Sequence, residues 1–481
     1  RVGESGNISD SSFIELITKV IKGHKMSVVP KSITLTKYNA LPDTLEGFKT
    51  LFIDEKNNVK NTDLFKRRIM GLTSYFRSAQ ESLMPKYTRA KNFHVLRIPM
   101  SDFQYGVYEE ARVQERKLEL RNAKKRKKLG DGVFDDSVST YRIFSRAFCN
   151  FVFPRPDIKR PMPNDTDDLE SAIINEEATE DVVDAKSALE KINDVDGKYE
   201  RDEVDKQDAE TDIETRSYQE KIKVALEQLK LNSSTYLSFS GLKTYSPKFL
   251  NMLENLQNPS HVGLHLVYSQ FRTLEGIGIL KLVLEHNGFA QFKVKQTAGV
   301  WSLNISEEDM SKPKFVLYTG TETAEEKEIV RNIFNGLWDV IPTTLVEPLK
   351  TMSPNNNLGE IIRIFMITAS GAEGISLKNV RFVHITEPYW HPVRTEQVIG
   401  RARRICSHKD LPEDLQTVDV FLYLMTFTED QLTSDKSIEM RLKDKGKLTD
   451  RALTSDEALF EISTIKEDIA HQLLDSVKES S

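Results

Sequence analysis

The chain has 481 residues and a formal net charge of −6, enough for roughly two to four domains with large buried cores. Its two cysteines, Cys149 and Cys406, exclude a disulfide framework and an all-cysteine zinc site, and read as plain thiols. No run of about 18 uncharged apolar residues occurs, and Arg1-Val-Gly-Glu-Ser-Gly6 has no signal-peptide pattern, so the expected setting is intracellular with no membrane partner. Arg at the first position points to a piece of a longer polypeptide or a processed product.

Residues 1–90 combine an amphipathic helix (Phe13, Ile14, Ile17, Val20, Ile21) with an alternating, strand-like Ser32–Tyr38, and read as the end of an upstream lobe or an inserted subdomain. In 91–155, His94–Met100 reads as a strand. Ser101-Asp-Phe-Gln104 is a capping box that opens a long helix with Phe103, Val107 and Ala111 on one face. That helix ends in Lys124-Lys125-Arg126-Lys127-Lys128, part of a stretch from Arg116 with eight basic residues and one acid. It is a candidate footprint for a nucleic-acid backbone, weighed equally against a solvated helix end or a localisation signal.

Residues 156–232 read as an acidic, mobile insertion. Between Asn164 and Glu214 there are 20 acidic and 5 basic side chains, so the remaining chain carries +9. Few aromatics and weak periodicity leave too little burial to offset the entropy of ordering. From 233 to 430, strands at Leu264–Tyr268, Lys314–Tyr318, Ile362–Thr368, Arg381–Glu387 and Thr417–Leu424 alternate with helices at Phe271–His286, Ala324–Asn335 and Arg394–Arg404. Thr323-Ala-Glu-Glu326 caps the second helix. This alternation predicts an α/β fold, a mostly parallel sheet with helices on both faces, whose ligands bind beyond the carboxyl ends of the strands. Residues 431–481 read as a C-terminal helical extension.

Two of those strand ends lead into marked segments. Ile362–Thr368 runs into Ala369-Ser-Gly-Ala-Glu-Gly-Ile-Ser376, a small-residue turn whose amides can approach a phosphate or ribose, or which simply needs glycine for its dihedrals. Arg381–Glu387 runs into Pro388-Tyr-Trp-His-Pro392, whose rings suit either base stacking or turn packing. Next comes Gln397-Val-Ile-Gly-Arg-Ala-Arg-Arg404. Gln397, Gly400, Arg401 and Arg404 fall on one helical face, and two guanidinium forks can neutralise charge that develops during phosphoryl transfer. A solvated basic face has the same spacing.

The order of these segments resembles the second motor lobe of a superfamily 2 helicase. Val267-Tyr-Ser-Gln-Phe271 resembles motif IV, Thr368–Ser376 motif V and Gln397–Arg404 motif VI. Tyr318-Thr-Gly-Thr-Glu322 with Arg331-Asn-Ile-Phe-Asn335 resembles the segment between motifs IV and V in the SWI/SNF-like branch. Upstream, Arg67–Arg77, Leu83-Met-Pro85 and Ile98–Tyr108 resemble the bridge between lobes. The wording is most similar to the SWI/SNF-like helicases of large nucleocytoplasmic DNA viruses, relatives of poxvirus nucleoside triphosphatase I, over about residues 40–155 and 235–475.

The resemblance implies a RecA-like second lobe. It makes Arg401 and Arg404 arginine fingers on the γ-phosphate of ATP, with Gln397 and Gly400 shaping their helix. Gly374 and Ser376 would face the nucleotide and the inter-lobe cleft, and Thr368 and Ser370 the nucleic-acid backbone. Where chromatin remodellers continue motif VI with Gly-Gln, this chain has Cys406-Ser407. No G-x-x-x-x-G-K-[ST] loop occurs; Asp456-Glu457 lies after motif VI and follows no apolar strand as a magnesium-binding pair would, so Thr454-Ser-Asp-Glu457 reads as a helix cap, and Asp54-Glu55 reads as a loop before Asn57-Asn58. The expectation is therefore the bridge and second lobe of an ATP-dependent helicase or translocase, with no metal ligands of its own, whose Mg2+ is held by a missing first lobe. This piece alone would be inactive. Its expected partners are nucleic acid, double-stranded DNA first, and viral transcription machinery, in the host cytoplasm, virus factory or virion. A non-catalytic nucleic-acid-binding or scaffold module of viral transcription is the alternative, and an RNA helicase the third reading.

Overall fold

The computed structural model describes residues 9–29, 33–35, 39–74, 83–129, 142–161, 218–319, 322–368 and 374–481, with the backbone alone at 118–129, 218–219 and 436. The chain divides into two compact units, one of residues 1–77 with 468–481 and one of 78–467. The expected divisions fall at 90/91, 155/156, 232/233 and 430/431. Phe93–Pro99 (β1) pairs in parallel with Asp419–Thr426 (β9) over seven residues, from Phe93 with Val420 to Pro99 with Thr426, which ties residues 93–99 to the larger unit.

In the smaller unit, the helices Leu45–Phe52 and Thr62–Ile69 close on the end of the last helix, Ser455–Ser480. Phe52, Phe65 and Ile69 are buried with Phe48, Leu473 and Val477 against them, and the Phe52 and Phe65 rings meet edge to face at 5.4 Å. The expected amphipathic helix is present as Asp10–Gly23, capped by Ser9, but none of its residues is buried. Ile33–Leu35 forms no strand, and the rest of the strand-like Ser32–Tyr38 segment lies outside the described residues.

The larger unit is built on a parallel seven-stranded sheet in the order β1-β9-β8-β2-β7-β6-β3. Its other strands are Leu264–Tyr268 (β2), Ala290–Gln291 (β3), Lys314–Tyr318 (β6), Ile364–Ile367 (β7) and Val380–Ile385 (β8). An antiparallel hairpin of Val294–Thr297 (β4) and Val300–Leu303 (β5) follows β3. Alternate residues of the central strands feed two cores, as a sheet covered on both faces requires. Val267, Phe315, Ile364 and Phe421 pack with the helices Ile143–Asn150, Pro247–Gln257 and Ile277–His286. Leu266, Phe365, Val383 and Val420 pack with Ala324–Phe334, Thr343–Met352 and Pro392–Ala402. The expected α/β sheet with helices on both faces is present.

Caps follow the sequence closely. Thr323 Oγ1 accepts from Glu326 N–H at 3.2 Å. Thr454 and Glu457 cap each other's amides at 3.1 Å, the reciprocal box read from the sequence. At Ser101 only half the box forms. Ser101 Oγ accepts from Gln104 N–H at 3.0 Å, whereas the Gln104 amide donates to Phe148 O at 2.8 Å.

Both ends of the span expected as an acidic insertion, 156–232, are packed into the larger unit. Ile158 and Arg160 are buried, Arg160 clasps Glu275, and the helix Tyr218–Leu231 places Ile222, Ala225 and Leu229 in the core. Residues 162–217 lie outside the described residues.

Candidate functional site

Three loops leave the carboxyl ends of the central strands: Ser269–Gly276 after β2, the segment from Thr368 after β7, and Thr386–His391 after β8. The last leads into Pro392–Ala402. Pro392 occupies the first helical position, where its missing N–H costs nothing, and the His391 side chain accepts from Val393 N–H at 3.2 Å. Val398, Ile399 and Ala402 bury the inner face. Gln397 is exposed and Gly400 half-buried, with nothing within 4 Å of the place a Cβ would occupy at Gly400.

The helix stops at Ala402, so Arg404 stands in the turn beyond it rather than on the helical face expected. The two arginines still converge. Arg401 Nη1 lies 3.4 Å and Arg404 Nη2 3.0 Å from a single acceptor, the carbonyl of Ile375. Both are half-buried, beside the carbonyl end of a helix, where a cation is favoured. Arg404 has no carboxylate within ion-pair distance among the described residues. The turn is held by Ser407, whose Oγ accepts from Arg404 N–H at 3.4 Å and donates to Ala402 O at 3.3 Å. Cys406 has φ +56°, the left-handed region that favours glycine, and its N–H donates to Leu83 O at 2.8 Å. The position at which remodellers carry glycine thus keeps a glycine-like backbone without the residue.

Ile375 belongs to the turn after β7. Thr368 is fully buried at the strand end. Ser370 lies outside the described residues. Gly374 and Ser376 are exposed on either side of Ile375, and Gly374 has φ +71°. This turn is fastened by Asn335, whose side chain donates to Ser376 O at 3.0 Å and accepts from Lys378 N–H at 2.9 Å. Asn335 received no role in the sequence reading. It caps the helix Ala324–Phe334 and closes the Arg331–Asn335 segment; its signal in the sequence is that place and a side chain able to donate and accept at a helix end.

The aromatic turn is half-buried. Lys466 Nζ stands 3.8 Å from the centre of the Trp390 ring, and the Arg394 guanidinium 5.3 Å from that of Tyr389, so each ring has a cation over one face. Burial, with Lys466 and Arg394 nearby, holds His391 below its ordinary pKa and therefore neutral at pH 7. Arg403 covers the Tyr87 ring at 5.1 Å; burial and then the Glu396 charge push that phenol up to about 12.

The basic run divides. Arg116, at its start, is buried and bonded to Asp444 and Glu109, so it belongs to the core. Lys124–Lys128 lie on the backbone of the helix Asp102–Leu129, with side chains outside the described residues. Asp54 sits in a turn, its Oδ1 accepting from Lys56 and Asn58 N–H, and Asp456 is paired with Lys248 at 2.7 Å. Among the described residues no group of three or more His, Cys, Asp or Glu could hold a metal ion, and no helix is long and apolar enough to cross a membrane.

No protein-family model matches the chain. Two proteins of Acanthamoeba polyphaga mimivirus, each named a putative ATP-dependent RNA helicase, are 26% identical to it: one over 482 residues, 90% of this chain and 52% of its own length, the other over 398 residues, 82% and 50%. A termination factor NPH-I homolog of African swine fever virus is 30% identical over 254 residues, 47% of this chain and 32% of its own length. The chain thus spans about half the length of the mimivirus relatives. Among solved structures, the C-terminal part of the Fun30 ATPase domain aligns with 81% of this chain and 99% of that one, at 16% identity and a TM-score of 0.37. The homologues of the chain are thus proteins of large DNA viruses named as putative helicases or as NPH-I homologs.

Proposed function

We propose that this chain is the bridge and second lobe of an ATP-dependent, SWI/SNF-like helicase or translocase that acts on nucleic acid inside infected cells. The observation that carries the reading is the convergence of Arg401 and Arg404 on the Ile375 carbonyl at the mouth of the parallel sheet. Two guanidinium forks beside exposed Gly374 and Ser376 suit the terminal phosphate of a nucleotide. As arginine fingers they would stabilise the charge that spreads over the transferred phosphoryl group. For Arg404, phosphate binding would trade a neutral carbonyl for charged oxygens, a stronger partner.

ATP and Mg2+ are the expected cofactors. The chain carries no Walker loop. We therefore assign the β- and γ-phosphates and the cation to a preceding lobe, and assign to this chain the arginines, the Ile375 turn and part of the nucleic-acid track. Lys124–Lys128 and Ser370 are the proposed contacts to the phosphate backbone; Thr368 is fully buried and is not one of them.

Double-stranded DNA is the proposed track and viral transcription the proposed setting, which the termination-factor name of the swine fever virus relatives favours. The RNA-helicase names of the mimivirus relatives favour RNA as a second reading. ATP hydrolysis by the intact protein with double-stranded DNA, single-stranded DNA and RNA separates them. Stimulation by double-stranded DNA is the expected result. Stimulation by RNA alone would install the second reading, and no hydrolysis with any of them would replace both by a non-catalytic binding module.

A further inference from the structure

A buried polar chain runs beneath the turn that leads into the arginine helix, across the carboxyl ends of β2, β8 and β9. Glu387, 1% exposed, follows β8. Its Oε1 accepts from the Ser269 hydroxyl at 2.9 Å and from Gln270 N–H, and its Oε2 from Asn150 Nδ2 at 3.2 Å, the pattern of an ionised carboxylate. Asn150 Oδ1 in turn accepts from Lys248 Nζ at 2.8 Å, and Lys248 donates to Asp456 Oδ2 at 2.7 Å. The same Asp456 oxygen accepts from Met425 N–H, near the end of β9, at 3.0 Å.

These bonds have a fixed direction. Asn150 lies between a carboxylate and an ammonium, so its amide nitrogen must face Glu387 and its oxygen Lys248; turned over, it would set donor against donor and acceptor against acceptor. The chain also grips the mouth of the site. Gln270, whose N–H is held by Glu387, donates from Nε2 to Pro388 O at 3.2 Å, and its Oε1 accepts from Arg146, which stacks over Phe271 at 5.5 Å. Glu387 therefore clamps the loops after β2 and β8 onto each other and onto the helix Ile143–Asn150. Pro388 opens the four-residue turn that ends where Pro392–Ala402 begins.

We propose that Glu387 and Asn150 are a positioning pair that fixes this turn and thereby sets where Arg401 and Arg404 stand. The proposal rests on the arginine reading for its effect on catalysis and on the geometry alone for its effect on the helix.

Exchanging the two chemistries tests it. Glu387→Gln places an amide donor against the Asn150 amide donor, and Asn150→Asp alone sets two carboxylates side by side. Together they restore acceptor, donor and net charge along the chain. In the intact protein, Glu387→Gln is expected to lower kcat for ATP about tenfold or more with KM within about twofold, the pattern of a lost transition-state arrangement. Amide exchange in Pro392–Ala402, measured without nucleotide, should quicken. The double variant should recover kcat to within about threefold and restore slow exchange.

Wild-type kcat in Glu387→Gln, or a double variant no better than the poorer single one, would overturn the pair. If the intact protein hydrolyses no ATP, or Arg404→Ala leaves its rate unchanged, the arginine reading fails by itself. The exchange measurement then still decides: unchanged protection of residues 392–402 in Glu387→Gln overturns the positioning role.

Discussion

Two groups of arginines in the larger unit show how little residue type decides. Arg112, Arg116 and Arg142 surround Asp444, with nitrogen–oxygen distances from 2.5 to 3.3 Å and guanidinium groups almost wholly buried. Burial alone would raise the Asp444 carboxyl, but the three cations prevail and hold it below the usual range. Arg401 and Arg404 are half-buried and share a main-chain carbonyl. The first group is committed to a partner it cannot leave without stranding a buried charge; Arg404 of the second meets a neutral carbonyl, which under the proposed function a phosphate would displace. A basic residue at a strand mouth that meets a carbonyl is a candidate for catalysis, whereas one that meets a buried carboxylate is architecture.

The comparison breaks most visibly in catalysis. Arg404→Ala in the intact protein should lower ATP hydrolysis about a thousandfold, the range seen for arginine fingers, and leave nucleic-acid affinity within about twofold. Arg112→Ala should do the reverse, leaving Asp444 and Glu115 short of a cation with a loss of about 3–5 kcal/mol on urea unfolding. An Arg112 variant with wild-type stability would erase the distinction.

A smaller effect comes from buried histidines of the larger unit, two in the sheet and His408 in the turn beyond the arginine helix. His265 Nδ1 and His384 Nε2 are 2.9 Å apart, and His384 Nδ1 meets Tyr423 Oη at 2.7 Å. Burial lowers His384 to about 3 and His408 to about 4, and burial and then His384 hold His265 well below its ordinary value. Folded pKa values below the unfolded value of about 6.5 mean that the unfolded chain binds more protons between the two. Stability is therefore full above pH 6.5 and falls as pH drops from 6.5 toward 4, by an amount on the order of 3 kcal/mol for a histidine of this kind. Urea midpoints that stay level from pH 7 to 4.5 would contradict it.

The smallest effect concerns the end of the basic run. Replacing Lys124–Lys128 by uncharged residues should reduce the slope of log affinity against log salt by about one for each phosphate no longer neutralised, with no change in unfolding midpoint. A changed midpoint would place these lysines with Arg116 in the core.

Much of this was legible where the signal is local. The apolar runs of β2, β6 and β7 sit within two residues of their expected bounds because a strand buried on both faces must be apolar throughout. The caps at Thr323 and Thr454 were legible because a side chain and an amide three residues on decide them. What depends on distant partners was not. Arg116 reads as a surface cation until Asp444, 328 residues later, is brought beside it. The helix expected from Phe271 begins at Ile277, because the preceding segment is drawn into the clamp around Glu387, 117 residues away from Gln270. β3 has two residues, and the β4–β5 hairpin turns through Ala298 and Gly299 at positive φ, too short for periodicity to report. Arg404 leaves the helix because the chain bends back through Cys406 and Ser407, and it meets Arg401 at the Ile375 carbonyl rather than on a shared helical face.

The most direct test of the account is a paired measurement on the intact protein, wild type and Arg404→Ala: the single-turnover rate of ATP cleavage in the presence of nucleic acid, and the Kd of that nucleic acid. A rate about a thousandfold lower with Kd within about twofold is the result predicted for an arginine that acts on the transition state. A near wild-type rate, or a Kd that weakens in step with the rate, would contradict it and leave Arg404 a binding residue or a turn residue only.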